Sequence, residues 1–324
     1  MSCRVFSEHQ DGEALGVIEI ADSIKSMEIR GAGLIARSAA DALRQQAEDY
    51  RGGDVEELRR RLEEARRSLI DSRPTAISLW NAVQATLRGA SRAGDAEELR
   101  SLVISNAERF IERSSRAVET IGRIGSHRLR SGMTVLTHCN SKAALGVIKA
   151  AHADGKDINV YATESRPWRQ GLLTVRDLSE AGIGSTLIID SAVRWIMKEV
   201  DVVLVGADTI CSNGALINKI GTSQVALAAD EARVPFIVCA ETYKFSPKTV
   251  LGEMVEIEER DANEIVDPRQ LPAGVKVRNP VFDSTPAEHI DSIVTEIGLI
   301  SPYAAYEVIV KELGQESIFE ANEE

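Results

Sequence analysis

The sequence predicts an α/β protein, with a helical N-terminal domain (residues 1–128) followed by a Rossmann-like doubly wound parallel-sheet domain (residues 129–324). Three observations predict it. The first part carries helical periodicity, the second alternates short β-rich runs with helical ones, and its strands include near-continuous apolar runs, as in a parallel sheet covered on both faces. A length of 324 residues suits two domains, and 44% apolar residues can bury a sizeable core.

In "VEELRRRLEEARRSLI" the apolar residues Leu58, Leu62, Ala65 and Leu69 step by four, three and four, which makes one helical stripe. Glu and Arg fill the other positions, as on a solvated helix face. "DAEELRSLVISNAERFIERSSRAVETIGRI" repeats the pattern, with Leu99, Leu102, Val103 and Phe110 facing inward and Asp95 as N-cap. Neither run sustains heptads for long enough to make a coiled coil. The domain boundary is expected near "GSHRLRSG", residues 125–132. Strands follow at "TVLTHC", "INVYAT", "STLIID", "VDVVLVGAD" and "PFIVCAE". Helices are expected between them at "SKAALGVIKAAHADG", "GLLTVRDLSEAG", "SAVRWIMKEV" and "NKIGTSQVALAADEARV".

Composition excludes several functions. The net charge of −12 and the lack of a polybasic block argue against nucleic acid as a partner. No run of about 18 apolar residues is present to span a membrane. The opening "MSCRVFSEHQDGEALG" lacks the pattern of a secretory signal. The four cysteines, Cys3, Cys139, Cys211 and Cys239, form neither CxxC pairs nor cysteine–histidine ligand spacings. Disulfides and zinc are therefore not expected, and a reducing cytoplasm is. The first strand-to-helix turn, "HCNSKAALG", lacks G-x-G-x-x-G, and no GxxxxGK[ST] occurs, so neither a dinucleotide nor a P-loop nucleotide is expected.

Ligands of open α/β sheets sit beyond the carboxyl ends of the strands. Cys139 ends the first strand of the domain and Asp208 the fourth, so two residues 69 positions apart would face one crevice. A thiol just before a helix start has its pKa lowered from about 8.5 into the range of about 3.5–7.5. Cys139 is then either a reactive thiolate or a packing thiol. His138, its neighbour on the strand, points to the opposite face. Asp208 either caps the turn marked by Asn213–Gly214 or, buried near the thiol, acts as a general acid. Cys211 and Cys239 read as packing.

Several cations stand where an anion could be gripped. Arg30 with Gly31, Ala32 and Gly33 precedes a helical run, and Arg73 precedes a proline able to open the next helix. Arg166 and Arg169 flank Trp168 past the second strand, Asn218 and Lys219 lie in "INKIGTSQ", and Lys244 follows the fifth strand. Each alone reads equally as a turn or a surface charge.

Taken together, "RGAG", "RPTA", "THCNS", "TESRPWRQG", "GADTICSNGALINKIGTSQVALAA", "ETYKF" and "NPVFDSTPAEHIDSIVTEIG" resemble one superfamily from about residue 18 to residue 313. It holds methylthioribose-1-phosphate isomerase, ribose-1,5-bisphosphate isomerase and regulatory subunits of the exchange factor for translation initiation factor two. The chain looks most like the archaeal ribose-1,5-bisphosphate isomerases, which link breakdown of AMP and other nucleoside monophosphates to an archaeal Rubisco.

The resemblance implies a helical domain before a Rossmann-like one, no metal or organic cofactor, and dimers that assemble into hexamers. It places the catalytic cysteine and aspartate on Cys139 and Asp208. Substrate contacts fall on Arg30 through Gly33, Arg73, Cys139 with its neighbours His138, Asn140 and Ser141, Asn218, Lys219 and Lys244. It implies proton removal from C2 by a Cys139 thiolate while Asp208 protonates the ring oxygen. Gly33, where the methylthioribose enzymes usually carry proline, and Lys244, suited to a second phosphate, favour the bisphosphate. Retention of Cys139 and Asp208 favours an enzyme over the exchange-factor subunit. Trp80, after "TAISL", departs from the pattern.

Overall fold

The computed structural model describes residues 16–315 with 317 and 318. Cys3 and all but the last residue of the stretch considered for a secretory signal lie outside the described residues. The chain divides into two compact units, Met1–Arg116 and Ala117–Glu324.

The first unit is helical: α1 (Val17–Lys25), α2 (Ala32–Asp49), α3 (Val55–Ser72), α4 (Ile77–Leu87) and the greater part of α5 (Ala96–Ser126). The division between the units falls within α5, ahead of residues 125–132, where the boundary is expected from the sequence. On α3 the stripe Leu58, Leu62, Ala65 and Leu69 is buried among Ile35, Leu43, Leu79 and Leu99. Asp54 caps that helix by accepting the Glu56 and Glu57 amides. The opposite face carries solvent-screened pairs such as Arg60–Glu57 and Arg67–Glu63, each of small net value. Asp95 accepts the Glu98 amide at the start of α5. Leu99 and Val103 are buried, whereas Leu102 and Phe110 are only half-buried. Trp80 is fully buried in α4, so the departure at that position is a core residue.

The second unit is a mostly parallel seven-stranded sheet. Its strands, in chain order, are β1 (Thr134–Thr137), β2 (Asn159–Thr163), β3 (Ser185–Ile188), β4 (Val202–Val205), β7 (Phe236–Cys239), β9 (Ser292–Thr295) and β10 (Gly298–Ile300). They lie in the order β10-β9-β7-β4-β1-β2-β3, and only β10 runs antiparallel to its neighbour. Helices α6 (Lys142–Ala153), α7 (Gly171–Glu180), α8 (Val193–Ile196) and α9 (Thr222–Ala232) connect the strands. Alternate residues serve two cores: Val203, Val205 and Val238 join Val225 and Ala229 of α9, while Val202, Leu204 and Cys239 join Ala144 and Ile148 of α6. That double coverage is why these strands are continuous apolar runs. Cys239 and Cys211 are buried.

Three elements differ from expectation. The helix expected from Asn218 is instead a strand, β6 (Leu216–Lys219), between β5 (Thr209–Ile210) and β8 (Phe282–Thr285) in a small antiparallel sheet. Gly221, at φ 100°, turns the chain before α9 begins. "SAVRWIMKEV" forms the four-residue α8 flanked by 3₁₀ turns. Asp190, the natural N-cap there, has its carboxylate engaged by the amides of Ser165 and Arg166. Pro74 does not open α4, which begins at Ile77, and Arg73 instead ends α3. Among the described residues no helix is long and apolar enough to cross a membrane.

Candidate active site

In the sheet order, β1→β2→β3 runs one way from the centre and β4→β7→β9 the other, so the topological switch lies between β1 and β4. Crevices at such points receive ligands. Cys139 follows β1 and Asp208 follows β4. Gly206 lets the two ends approach: a Cβ there would lie 2.3 Å from Ser141 Oγ.

Cys139 is held in an unusual conformation. Its φ of 68° is left-handed, which costs a non-glycine residue about 1–3 kcal/mol. Its amide donates to Ser165 Oγ at 2.8 Å, and its carbonyl accepts from Thr174 Oγ1 at 2.7 Å. Asn140 Nδ2 donates to Thr174 Oγ1 and to Asp177 Oδ2, both at 3.1 Å. Ser141 is the N-cap of α6 and accepts the Ala144 amide. Cys139 therefore lies two residues ahead of the cap, outside the helix turn whose amides would stabilise a thiolate. The expected lowering of its pKa is not found. Burial pushes the thiol up to about 11; Lys219 and the Asn140 amide act downward, while Asp208 and Asp190 act upward. The side chain is nonetheless only half-buried.

Lys219 ends β6 with its ammonium 5.1 Å from the Phe282 ring centroid. It is buried, and that burial lowers its pKa, opposed by the charges of Cys139 and Asp208. Asp208 is half-buried, its amide donating to the Ile217 carbonyl of β6. The turn at Asn213–Gly214 is closed by Asn213 Oδ1, which accepts the Ala215 amide. Cys139, Asp208 and Lys219 thus form one electrostatic cluster.

His138 is buried between the ends of β2 and β6. Its Nε2 lies 2.8 Å from the Ile220 carbonyl, which can only accept, so Nε2 carries the proton and Nδ1 accepts from Thr163 Oγ1 at 2.6 Å. Both ring nitrogens are therefore engaged in holding the fold. Burial lowers its pKa below 6.5. The unfolded chain takes up this proton below about pH 6.5 and the folded protein only at lower pH, so stability should fall as pH drops through that window. The slope from this residue should reach about 1.4 kcal/mol per pH unit. His138→Gln can keep both hydrogen bonds, and urea unfolding between pH 7 and 5 should show the slope reduced by about that amount.

Asn218 is buried and donates to Thr222 Oγ1 at 3.0 Å. Arg166 is exposed, reaching the Ile265 carbonyl at 3.3 Å, and Arg169 pairs with Glu164 at 2.9 Å. Lys244 is buried with its ammonium 2.7 Å from Glu241 Oε2, and Tyr243 donates to the other carboxylate oxygen. In the first unit, Gly31 caps α2 at φ 88°, with Ala32 and Gly33 as the first residues of α2 and Arg30 exposed. Half-buried Arg73 reaches Met27 Sδ at 3.3 Å, which ties the R-P-T-A segment to the chain just before Arg30. Sequence reasoning missed Ser165, Thr174, Asp190 and Glu241. Ser165 lies inside "TESRP", where a serine among charged residues gives no local sign of a buried acceptor.

The model of the initiation factor 2 subunit family matches residues 28–302. The chain belongs to that family. Ribose 1,5-bisphosphate isomerase of Archaeoglobus fulgidus is 56% identical, over 94% of this chain and 96% of the relative. Methylthioribose-1-phosphate isomerase of Geotalea uraniireducens is 38% identical, over 91% of this chain and 89% of the relative. The translation initiation factor eIF-2B of Pyrococcus horikoshii superposes with a TM-score of 0.74 at 32% identity, covering 88% of this chain and 97% of that one.

Proposed function

We propose that this chain is an isomerase converting α-D-ribose 1,5-bisphosphate to D-ribulose 1,5-bisphosphate. The observation that carries the reading is the cluster of Cys139, Asp208 and Lys219 at the β1/β4 switch, in a chain 56% identical to an enzyme of that name.

The C1 phosphate locks the sugar as a ring, so a free aldehyde is not available. Cys139 takes the C2 proton while Asp208 delivers a proton to the ring oxygen as the C1–O4 bond breaks. The C1=C2 enol that results keeps the phosphate on C1. A proton returned to C1 and one removed from the C2 hydroxyl give the ketone, and the protein ends in its starting protonation state. A base and an acid on opposite sides of one sugar are what this requires. Because the resting pair holds one proton between thiol and carboxylate, the form with thiolate and carboxylic acid is its tautomer and needs no net ionisation. Lys219 favours the thiolate within that pair. Arg30 to Gly33, Arg73, Asn140, Ser141, Arg166, Asn218 and Lys244 are assigned to the substrate, with His138 supporting the loop. Lys244 keeps two of its three ammonium donors for a phosphate while bonded to Glu241. The protein is read as a cytoplasmic homo-oligomer of dimers assembled into a hexamer; of this, exposed Leu187, Ile189 and Trp195 support self-association.

Incubation with ribose 1,5-bisphosphate should yield ribulose 1,5-bisphosphate. Activity on methylthioribose 1-phosphate should be lower by about 10- to 150-fold in kcat/KM, the worth of one charge-assisted phosphate contact. A reversed preference would assign the chain to the methylthio sugar, and turnover of neither would favour a binding subunit. Asp208→Asn should keep the fold and lose at least about 100-fold in kcat, since an amide cannot deliver the proton. Normal turnover in that variant would remove Asp208 from the mechanism.

A further inference from the structure

We propose that Ser165 and Asp190 are positioning residues that hold Cys139 in its left-handed conformation for reaction. This rests on the isomerase reading above.

Two segments meet at Cys139, and both are bent the same way. Cys139 has φ 68° and Ser165 has φ 60°, neither a conformation that a non-glycine residue adopts without support. The support can be traced bond by bond. Asp190, just past β3, accepts the Ser165 amide on Oδ1 at 2.7 Å and the Arg166 amide on Oδ2 at 2.8 Å. A carboxylate with both oxygens so used fixes the start of the Ser165 turn. Ser165 is fully buried, and its hydroxyl accepts the Cys139 amide at 2.8 Å.

The proton order beyond Ser165 is determined. Ile220 can only accept, so His138 Nε2 donates to it and Thr163 Oγ1 donates to His138 Nδ1. Thr163 Oγ1 is then left to accept, and Ser165 Oγ donates to it at 3.0 Å. With its own proton so committed, Ser165 has lone pairs to receive the Cys139 amide. Three neighbouring strand ends, β1, β2 and β3, and the turn after β6 therefore converge on one backbone amide. Asp190 carries a negative charge toward the thiol, which opposes ionisation. A carboxylate kept at that place despite its charge is there for its two fixed acceptors.

Ser165→Gly separates the alternatives. Glycine suits φ 60° better than serine, so the turn survives, but the acceptor for the Cys139 amide is gone. Hydrogen exchange at that amide, read by mass spectrometry or NMR, should speed by at least about 10-fold as the local bond is lost. The kcat for ribose 1,5-bisphosphate should fall about 10- to 100-fold, the effect of misplacing a reacting group by about 1 Å. KM should stay within about threefold, because the loss is confined to the transition state. Asp190→Asn offers one acceptor where two are needed, and it should move exchange and kcat in the same directions even though it removes a charge unfavourable to the thiolate. Unchanged exchange in Ser165→Gly, or faster exchange with wild-type kcat, would overturn the proposal, as would a rise in kcat for Asp190→Asn. Absence of turnover in the wild type would count against the isomerase reading alone, since amide exchange is measured without substrate.

Discussion

Cys139→Ser should lose about 10²- to 10⁴-fold in kcat, the usual contribution of a positioned base, while still binding ribose 1,5-bisphosphate. Serine keeps the shape and the left-handed backbone, but its hydroxyl is too weak a base to take a proton from carbon. Near-wild-type turnover would sink the mechanism. The pH profile of the wild type gives a second check. A thiol at a helix start with a pKa near 7 would make activity level off at neutral pH. Here burial holds the Cys139 thiol up to about 11, and the Asp208 charge acts in the same direction. Activity should therefore persist through about pH 9 and decline only as the thiol of the resting pair titrates near 11. The sign follows from the pair: above that pH both partners are deprotonated, the base remains, and the acid is lost. A profile collapsing between pH 7 and 8 would mean that Cys139 ionises independently of its neighbours.

How far the sequence revealed this depends on how local each cause is. The strands β1, β4 and β7 were legible because burial on both faces leaves a continuous apolar run, and the more exposed β2 and β3 because short β-rich runs there alternate with helical ones. The meeting of Cys139 and Asp208 was legible because it follows from strand ends and a switch point rather than from any side-chain detail. The second, antiparallel sheet was not. Leu216–Lys219 pairs with Phe282–Thr285, more than sixty positions away, and nothing local distinguishes it from the start of a helix. The pKa of Cys139 was misjudged for a similar reason. Cys139 stands two positions ahead of the cap at Ser141, which removes the benefit of the helix, and three-dimensional crowding decides the direction. Ser165 and Asp190 escaped notice because their importance lies in a backbone amide that no residue pattern advertises.

Lys244 shows the largest change between sequence and structure, and it carries a measurable consequence. From sequence it is a free cation past the fifth strand, ready for a phosphate. In the fold it is buried against buried Glu241, with side-chain exposures of 9% and 5%. Burial alone would raise the carboxyl's pKa, but the Lys244 charge and the hydrogen bonds around it outweigh that and hold Glu241 below its usual range. Lys244→Ala should therefore cost about 3–5 kcal/mol of folding stability, the penalty of stranding one member of a buried pair. Guanidinium unfolding at pH 7 measures it, and a loss below about 1 kcal/mol would show that Glu241 readily finds another partner or a proton. The double variant Glu241→Gln/Lys244→Met removes both charges, leaves Tyr243 a hydrogen-bond acceptor, and should recover the greater part of that loss. With the fold restored, binding can be judged separately. If Lys244 also grips the second phosphate, the double variant should raise KM for ribose 1,5-bisphosphate by about 10- to 150-fold and leave KM for methylthioribose 1-phosphate nearly unchanged. Equal changes for both sugars would confine Lys244 to holding Glu241 and move the second phosphate to other cations.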